Sequence, residues 1–435
     1  MTTFDQILPQ VGAVLEPHAV SLASVDRIII NRDLNGRVRL IVPKQARADS
    51  ATSAVIASVA DELAHRLGAH AFSAERAILY EDDLESLVRD RPCTPLEPFK
   101  NVCIVDRLAT EGDWASIAPV AQGTPRVVFF SIKGGVGRST ALAASAWALA
   151  QAGKRVLVLD LDLESPGLSS ALLPDERRSK FGIADWLVED LVDNGDAVLD
   201  DLIATSTLAH DGEIYVVPAH GRDPGEYVAK LGRVWMSKIA PDGSRESWSQ
   251  RLLRLIDALE ARLRPDVILI DSRAGIDEVA SSCVTDLGAA LVLLFAIDGD
   301  QTWTGYRLLF RHWRKAGVAR AIRERLQLVG ALVPDDERRV AYFAGLRERA
   351  WDAFAEDLYD AIPPGEVGDD SWNFEESDAG APHYPWAIRW NRGFAALLSL
   401  HTRFEAVDAG EVDAVFGPLI GGLQSALIGQ GEDHG

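Results

Sequence analysis

Residues Arg126–Thr140 read Arg-Val-Val-Phe-Phe-Ser-Ile-Lys-Gly-Gly-Val-Gly-Arg-Ser-Thr, and this stretch sets the fold class of the chain. The apolar run Val127–Ile132 is typical of a buried parallel strand. Three glycines follow within four positions, and an alanine-rich segment predicts a helix from Ser139 that ends before Gly153. A strand, a glycine loop and a helix start predict a phosphate-binding site, because loop N–H groups and the helix N-terminus attract anions. An ordinary glycine-rich turn is the plainer alternative.

The residue types of this loop suit a nucleotide with a bound metal ion. In such a loop the first hydroxyl, that of Ser139, is expected to be a Mg²⁺ ligand, and Thr140 is expected to reach the α-phosphate. The predicted nucleotide-binding residues are Lys133, Gly134, Gly135, Val136, Gly137, Arg138, Ser139 and Thr140.

Carboxylates stand at the ends of two further predicted strands. The apolar strand Arg155–Leu161 contains Asp160 near its end and is followed by Asp162, and the strand Asp266–Asp271 also ends on a carboxylate. Because the carboxyl ends of parallel strands meet at one edge of a sheet, we expect these groups beside the glycine loop. A Mg²⁺ shell and an attacking water would lie there. The alternative is that Asp160 and Asp162 cap the following turn.

Together these motifs resemble the MinD/ParA/ArsA family of dimerising ATPases, which have a deviant Walker A loop. The resemblance rests on Lys133–Thr140, Asp160–Leu168 and Asp271–Gly275, and it covers roughly Pro125–Pro334. Within the family the sequence resembles a bacterial branch with Lys-Gly-Gly-Val-Gly-Arg-Ser loops. The resemblance implies ATP and Mg²⁺ as cofactors and a homodimer in the ATP-bound form. Adenine rather than guanine rests on the resemblance alone.

The resemblance also implies roles for individual residues. Lys133 is expected to reach across the dimer to the partner's nucleotide. Asp162, in switch I, would orient the attacking water, so these two residues are catalytic candidates. Ser139, Asp160 and Asp271 are the expected Mg²⁺ site, with Asp271 as the Walker B carboxylate that hydrogen-bonds a metal-bound water.

Two arginines depart from the family pattern. Arg138 stands where a standard P-loop has a lysine, and it keeps the positive charge in a larger, planar group. We expect nucleotide binding to survive this change. Arg273 lies in switch II, where most relatives have an apolar turn, and is a third catalytic candidate. It could act as an arginine finger that stabilises transition-state charge. A structural ion pair with Asp277 or Glu278 is an equal alternative.

Composition limits the possible partners and surroundings. The chain has 435 residues and a net charge of −21, which disfavours nucleic-acid binding through a global positive field. The three cysteines, Cys93, Cys103 and Cys283, lack metal-ligand spacing and predict reduced thiols in a cytoplasmic protein. The predicted last helix, Val412–Ile428, contains no lysine or arginine and does not resemble the membrane-targeting helix of MinD.

We predict an α/β fold with a doubly wound, mainly parallel P-loop NTPase sheet, a small N-terminal α+β domain and a helical C-terminal extension. The first domain, residues 1–120, contains a predicted hairpin of Arg27–Asn31 and Arg37–Val42, and its role is unknown. Residues 125–335 form the NTPase core. Residues 336–435 are mostly helical and complete or flank that core.

The expected function is a nucleotide-dependent switch. It would bind ATP, hydrolyse it slowly, dimerise in the ATP-bound form and regulate or position a protein partner that the sequence does not identify. A catalytically degenerate nucleotide-binding scaffold is the alternative, favoured by Arg138 and the unusual switch II. A DNA-partition ATPase would need a basic surface, which the net charge of −21 disfavours.

Overall fold

The computed structural model describes residues 2–88, 93–108, 112–209, 211–239, 243–362, 371–394 and 400–432. The chain divides into two compact units, Met1–Ser116 and Ile117–Gly435. No helix among the described residues is long and apolar enough to cross a membrane.

The first unit contains a five-stranded mixed sheet. Its strands, in chain order, are β1 (Ile28–Arg32), β2 (Val38–Pro43), β3 (Ile78–Glu81), β4 (Thr94–Pro95) and β5 (Val102–Asp106). Their order across the sheet is β3-β2-β1-β5-β4. Strands β1 and β2 pair antiparallel, which confirms the predicted hairpin, whereas β1 pairs with β5 and β2 with β3 in parallel.

Helices cover this small sheet and bury its apolar side chains. They are α1 (Ile7–Leu15), α2 (Ala19–Leu22), α3 (Ser50–Leu67) and α4 (Leu84–Val88). Helix α3 begins where the Asp49 carboxylate accepts hydrogen bonds from two backbone N–H groups, which is a standard N-cap. Leu63 of α3 and Val11 of α1 belong to one core with Ile30 and Leu40 of the sheet.

Two cysteines of this unit are joined, contrary to the sequence expectation of three reduced thiols. Cys93 and Cys103 form a disulfide, with their Cα atoms 5.6 Å apart. The antiparallel pairing of β4 with β5 brings the two side chains together, since Pro95 lies opposite Cys103. Cys283 is a buried free thiol. A tertiary pairing of this kind leaves no spacing signal that would identify it in the sequence.

The second unit is built on an eight-stranded sheet. Its chain contributes β6 (Arg126–Ser131), β7 (Arg155–Asp160), β8 (Ala204–Thr205), β9 (Glu213–Val217), β10 (Lys238–Ile239), β11 (Arg245–Glu246), β12 (Val267–Ala274), β13 (Leu291–Ala296), β14 (Leu326–Val333) and β15 (Trp386–Arg389). The order is β15-β14-β13-β6-β12-β7-β9-β8, with only β8 antiparallel to its neighbour. Strands β10 and β11 form a separate hairpin. The sheet is therefore mainly parallel, as predicted.

Helices pack on both faces of this sheet. They are α5 (Arg138–Gln151), α6 (Leu168–Leu172), α7 (Ile183–Asp190), α8 (Tyr227–Val234), α9 (Trp248–Leu263), α10 (Glu278–Ser281), α11 (Asp300–Lys315), α12 (Ala319–Ile322), α13 (Arg339–Asp357), α14 (Leu400–Ala406) and α15 (Ala409–Glu432). Successive side chains of β6 point to opposite faces of the sheet. Phe129 shares a core with Leu142 of α5, whereas the ring of Phe130 lies 6.2 Å from that of Tyr306 in α11. This confirms the doubly wound prediction.

The chain after residue 335 adds both a strand and helices to the second unit. Strand β15 pairs in parallel with β14, and Val415 and Leu419 of α15 join the core that contains α5. Gly422 of α15 lies so close to Trp386 that an added Cβ would meet the indole ring at 2.4 Å. Of the predicted extension 336–435, residues 363–370, 395–399 and 433–435 lie outside the described chain.

Candidate nucleotide-binding site

The glycine loop between β6 and α5 has the backbone geometry of an anion cradle. Gly135 and Gly137 have positive φ angles of 75° and 81°, which a residue with a Cβ adopts only with strain. A Cβ added at Gly134, Gly135 or Gly137 would meet no atom within 4 Å, so the loop borders open space. The helix that follows is 14 residues long, and its first N–H groups lie at this loop. These features fit a phosphate group.

The hydroxyl side chains of α5 take up the predicted positions at the start of the helix. Ser139 is partly buried, and its hydroxyl group lies near the carboxylate of Asp271, a buried residue of β12. Thr140 is also partly buried, whereas Lys133 is exposed at the beginning of the loop. Sequence reasoning therefore placed Ser139 and Asp271 at one site, and the fold brings them near each other.

Asp160 and Asp271 lie side by side on two neighbouring strands, Asp160 at the end of β7 and Asp271 within β12. They are direct partners in the parallel register of β7 and β12, and their side chains are 0% and 1% exposed. Burial, followed by the negative charges of Asp271 and Asp162, raises the pKa of Asp160 to about 8. Burial also raises the pKa of Asp271, against the opposing effect of Arg138. The surroundings therefore disfavour the state in which both carboxyl groups are ionised.

The carboxylate of Asp160 organises the loop that follows it. One oxygen accepts a hydrogen bond from the N–H of Asp162 at 3.3 Å, and the other accepts one from the N–H of Leu168 at 3.2 Å. The side chain thus holds both ends of the predicted switch I segment. This is the turn-capping alternative raised by the sequence, and it leaves Asp160 facing its two neighbouring carboxylates as well.

Arg138 fills the space between the carboxylates. Its Nε donates to Asp271 Oδ1 at 2.6 Å, its Nη2 donates to Asp162 Oδ2 at 3.0 Å, and its Nη1 donates to Ser131 Oγ at 3.2 Å. The side chain is only 7% exposed. Burial opposes its charge, but Asp271 and Asp162 outweigh that effect and raise the pKa of Arg138. The sequence predicted a phosphate contact for this residue, and the structure adds contacts to two of the predicted functional carboxylates.

The residues present can take part in binding Mg²⁺ but do not form a complete cage for it. Among the described residues, no group of three or more His, Cys, Asp or Glu side chains is arranged to hold a metal ion. The hydroxyl of Ser139 and the oxygens of Asp271 are hard donors of the kind that Mg²⁺ prefers. Mg²⁺ usually keeps several waters and takes other ligands from substrate phosphates, so this partial donor set fits it.

Arg273 links the two predicted switch loops. Its guanidinium forms ion pairs with Glu164 at 2.6 Å and with Asp277 at 3.2 Å, and a third of the side chain is exposed. The sequence offered Asp277 as a structural partner, and that contact is present. The contact with Glu164 was not predicted. The arginine-finger hypothesis stays a prediction.

Sequence reasoning missed the role of Tyr227, the first residue of α8. Its hydroxyl donates to the backbone oxygen of Leu163 at 2.7 Å, and its ring packs edge-on against His220. Burial and the nearby carboxylate of Asp160 raise the pKa of this phenol. Tyr227 therefore ties the segment before β10 to switch I. Its position lies far from the loop motifs in sequence, and no local pattern marks it.

A comparison with protein families agrees with this geometry. A family model described as the CobQ/CobB/MinD/ParA nucleotide binding domain matches residues 127–338. No curated protein matches the chain.

Several solved structures are similar to the chain. The structure of pNOB8 ParA bound to nonspecific DNA is 18% identical, covers 72% of this chain and 100% of that chain, and has a TM-score of 0.42. MinD from Pyrococcus horikoshii OT3, complexed with Mg-ADP, is 24% identical over 49% of this chain and 72% of that chain, with a TM-score of 0.34.

A third similar structure is cobyrinic acid a,c-diamide synthase from Mycobacterium smegmatis with a bound ATP analogue and magnesium. It is 19% identical over 55% of this chain and 86% of that chain, with a TM-score of 0.37. The family of this domain is assigned from the family match and from the loops described above. Residues 127–338 therefore belong to the CobQ/CobB/MinD/ParA family of P-loop nucleotide-binding domains.

Proposed function

We propose that the chain binds ATP with Mg²⁺ at the glycine loop and works as a nucleotide-dependent dimerisation switch. The observation that carries this proposal is the arrangement of neighbouring strands β7, β12 and β6 in the parallel sheet. The glycine loop follows β6, Asp160 ends β7 with Asp162 just after it, and Asp271 of β12 is the direct partner of Asp160. Such a junction in a parallel sheet is the usual place for a nucleotide.

Each side chain has a defined task in this proposal. The N–H groups of Gly134–Thr140 would bind phosphate oxygens, and Ser139 and Asp271 would hold Mg²⁺ or its waters, which would supply positive charge beside the phosphates. Asp162 orients the attacking water, and Asp160 fixes the backbone of the loop that carries Asp162. The partial exposure of Asp162 leaves it accessible to water.

The dimeric part of the proposal depends on Lys133. Its side chain is exposed at the start of the loop, so it is free to approach a second copy of the chain. By family resemblance it would contact the nucleotide of that copy. ATP would then favour a closed dimer, and the dimer would be the form that a protein partner recognises.

Light-scattering mass measurements on Asp162→Ala test the switch directly. Loss of the carboxylate that orients water should slow hydrolysis and preserve the ATP-bound form. We expect a dimer with Mg-ATP and a monomer with Mg-ADP. Asp175→Ala is a suitable control, because the side chain of Asp175 is 89% exposed and forms its ion pair with the nearby Arg178. Equal masses of Asp162→Ala in the two nucleotides would contradict the switch.

A degenerate scaffold that binds ATP without hydrolysing it is the second candidate. The contacts of Arg138 with Asp271 and Asp162 favour it, because they engage carboxylates that hydrolysis would use. Phosphate release by the ATP-saturated wild-type chain separates the two proposals. Slow release with a defined rate supports the switch, whereas recovery of all bound ATP intact after prolonged incubation supports the scaffold.

Partition of DNA is the least favoured function. The net charge of −21 opposes association with the phosphate backbone. Titration with nonspecific duplex DNA at low salt, with Mg-ATP present, tests it. Saturable binding that weakens with salt would revive a DNA-partition role, and absence of binding at every salt concentration would dismiss it.

A further inference from the structure

We propose that Arg138 is an internal counter-ion that competes with Mg²⁺ for the carboxylates of the site, so that metal and phosphate binding depend on each other. The inference rests on the proposed nucleotide site and concerns how that site is controlled. It starts from the three contacts of one guanidinium group, which joins the ends of β6 and β12 to switch I.

The competition follows from which atoms Arg138 contacts. Asp271 Oδ1 and Asp162 Oδ2 receive its hydrogen bonds at 2.6 Å and 3.0 Å. Oxygens of this kind are the donors that Mg²⁺ or its waters would use. An oxygen that already accepts a close charged hydrogen bond is a weaker ligand for a second cation. Mg²⁺ can therefore gain these carboxylates fully only if the guanidinium moves away.

The charge balance makes this exchange favourable only when phosphate is present. Arg138 forms ion pairs with Asp162 and Asp271, and the buried carboxylate of Asp160 lies beside Asp271. Mg²⁺ alone would displace that cation and leave a buried guanidinium without its partners, which is costly. Nucleotide phosphates would supply new partners, because Arg138 is the first residue of α5 and directly follows the glycine loop. Metal and phosphate together would thus give new partners both to the carboxylates and to the guanidinium.

The side chain itself suits this exchange. An arginine keeps its positive charge at all relevant pH values and can form bidentate contacts with either carboxylate or phosphate. A lysine at this position would carry its three N–H donors on a single nitrogen atom. The donors of Arg138 that contact Ser131, Asp162 and Asp271 are instead spread over three nitrogen atoms. The substitution of arginine for lysine in the loop would therefore change how strongly the site depends on metal, rather than abolish binding.

Mn²⁺ binding followed by electron paramagnetic resonance, without nucleotide, tests the proposal on the full chain. Arg138→Gln removes the charge and keeps a hydrogen-bonding side chain. We expect it to bind Mn²⁺ about tenfold more tightly than the wild type, a typical size for coupling between sites. Arg307→Gln is the matched control, since Arg307 lies on α11 and pairs with carboxylates of α13, and it should leave Mn²⁺ affinity unchanged.

A second variant keeps the test decisive if Arg138→Gln does not fold. Arg138→Lys retains the charge but loses the bridging contacts, and it should bind Mn²⁺ more tightly than the wild type by a smaller factor. Unchanged Mn²⁺ affinity in every folded Arg138 variant would overturn the proposal. ATP titration of the wild type with Mn²⁺ separates this failure from failure of the proposed function, because ATP would still bind in the former case and not in the latter.

Discussion

Asp160 shows how a single buried carboxyl group can make the stability of this chain depend on pH. The side chain is fully buried, and its two oxygens accept backbone hydrogen bonds that hold switch I. Its pKa rises from 3.8 to about 8 because burial and the adjacent carboxylates disfavour the charge. The folded chain therefore binds a proton that the unfolded chain releases at intermediate pH.

The sign of this linkage gives a prediction for Asp160→Asn. In the wild type, deprotonation is easier in the unfolded chain, so the free energy of unfolding should fall as pH rises from about 4 to about 8. The slope contributed by one group is at most about 1.4 kcal/mol per pH unit. Asp160→Asn should flatten this slope, although it loses one backbone hydrogen bond at every pH. Urea unfolding at several pH values without Mg²⁺ measures how the free energy of unfolding depends on pH. The same pH dependence in the wild type and in Asp160→Asn would contradict the prediction.

Arg273 offers a residue-scale test with two separate readouts. Because its ion pairs with Glu164 and Asp277 are partly exposed, Arg273→Ala should lower the free energy of unfolding by no more than about 1 kcal/mol. ATP turnover at unchanged ATP affinity decides the catalytic hypothesis. A loss of about a thousandfold would establish an arginine finger. Unchanged turnover would refute the finger and leave Arg273 as a clamp between the switch loops.

At the scale of elements, one carboxylate joins α7 to α9 and β10. Asp190, the last residue of α7, is 2% exposed and accepts hydrogen bonds from Arg251 and Arg254. Lys238 of β10 also pairs with it at 3.2 Å. Burial alone would raise the pKa of Asp190, but the two arginines outweigh it and lower that pKa. This charge cluster is therefore expected to stabilise the fold whenever Asp190 is ionised.

Removal of that charge should be costly, and a neighbouring residue supplies the control. Asp190→Asn leaves the fully buried Arg251 without its charged partner, so we expect a loss of about 3–5 kcal/mol in the free energy of unfolding. The side chain of Asp193 is 81% exposed and also pairs with Lys238, so Asp193→Asn should lower the free energy of unfolding by only about 0–1 kcal/mol. Because the pKa of Asp190 is lowered, its contribution should persist above about pH 4 and vanish as pH falls further. Equal costs for the two variants in urea unfolding would contradict this assignment.

The elements that the sequence predicted well are those with a strong local pattern. Strand β6 was expected at Val127–Ile132 and lies at Arg126–Ser131, because an uninterrupted apolar run can be satisfied only inside a sheet. The hydroxyl of Ser139 and the carboxylate of Asp271, which the sequence predicts at one site, lie near each other for a similar reason, since parallel strands end at a common edge.

The elements that the sequence did not predict depend on contacts between distant segments. The bond between Cys93 and Cys103 follows from strand pairing, and the hydrogen bond from Tyr227 to Leu163 follows from the placement of α8. The direction in which Arg138 points depends on carboxylates 24 and 133 residues away in sequence. A local motif fixes the position of that arginine but not its partners.

At the scale of the whole molecule, every predicted site residue lies in the second unit, Ile117–Gly435. The first unit has its own sheet and its own apolar core. Because no predicted site residue lies in the first unit, we expect a fragment of residues 117–435 to bind Mg-ATP with an affinity within about threefold of that of the full chain. Titration calorimetry measures both affinities, and a loss of about 1.4 kcal/mol in binding free energy would appear as a tenfold change. A fragment of residues 1–116 should show no binding. Loss of ATP binding by the larger fragment, if it is folded, would place part of the site in the first unit.

Calorimetric titration of Mg-ATP into three proteins tests most directly whether the glycine loop is the nucleotide site. Gly137 and Gly153 stand at opposite ends of α5 with φ angles of 81° and 78°, and neither has an atom within 4 Å of an added Cβ. Gly137→Ala and Gly153→Ala should therefore impose similar backbone strain. We predict one ATP per chain for the wild type and for Gly153→Ala, and at least about tenfold weaker binding for Gly137→Ala. Equal affinities for the two variants, or no binding to the wild type, would contradict the assignment of the site.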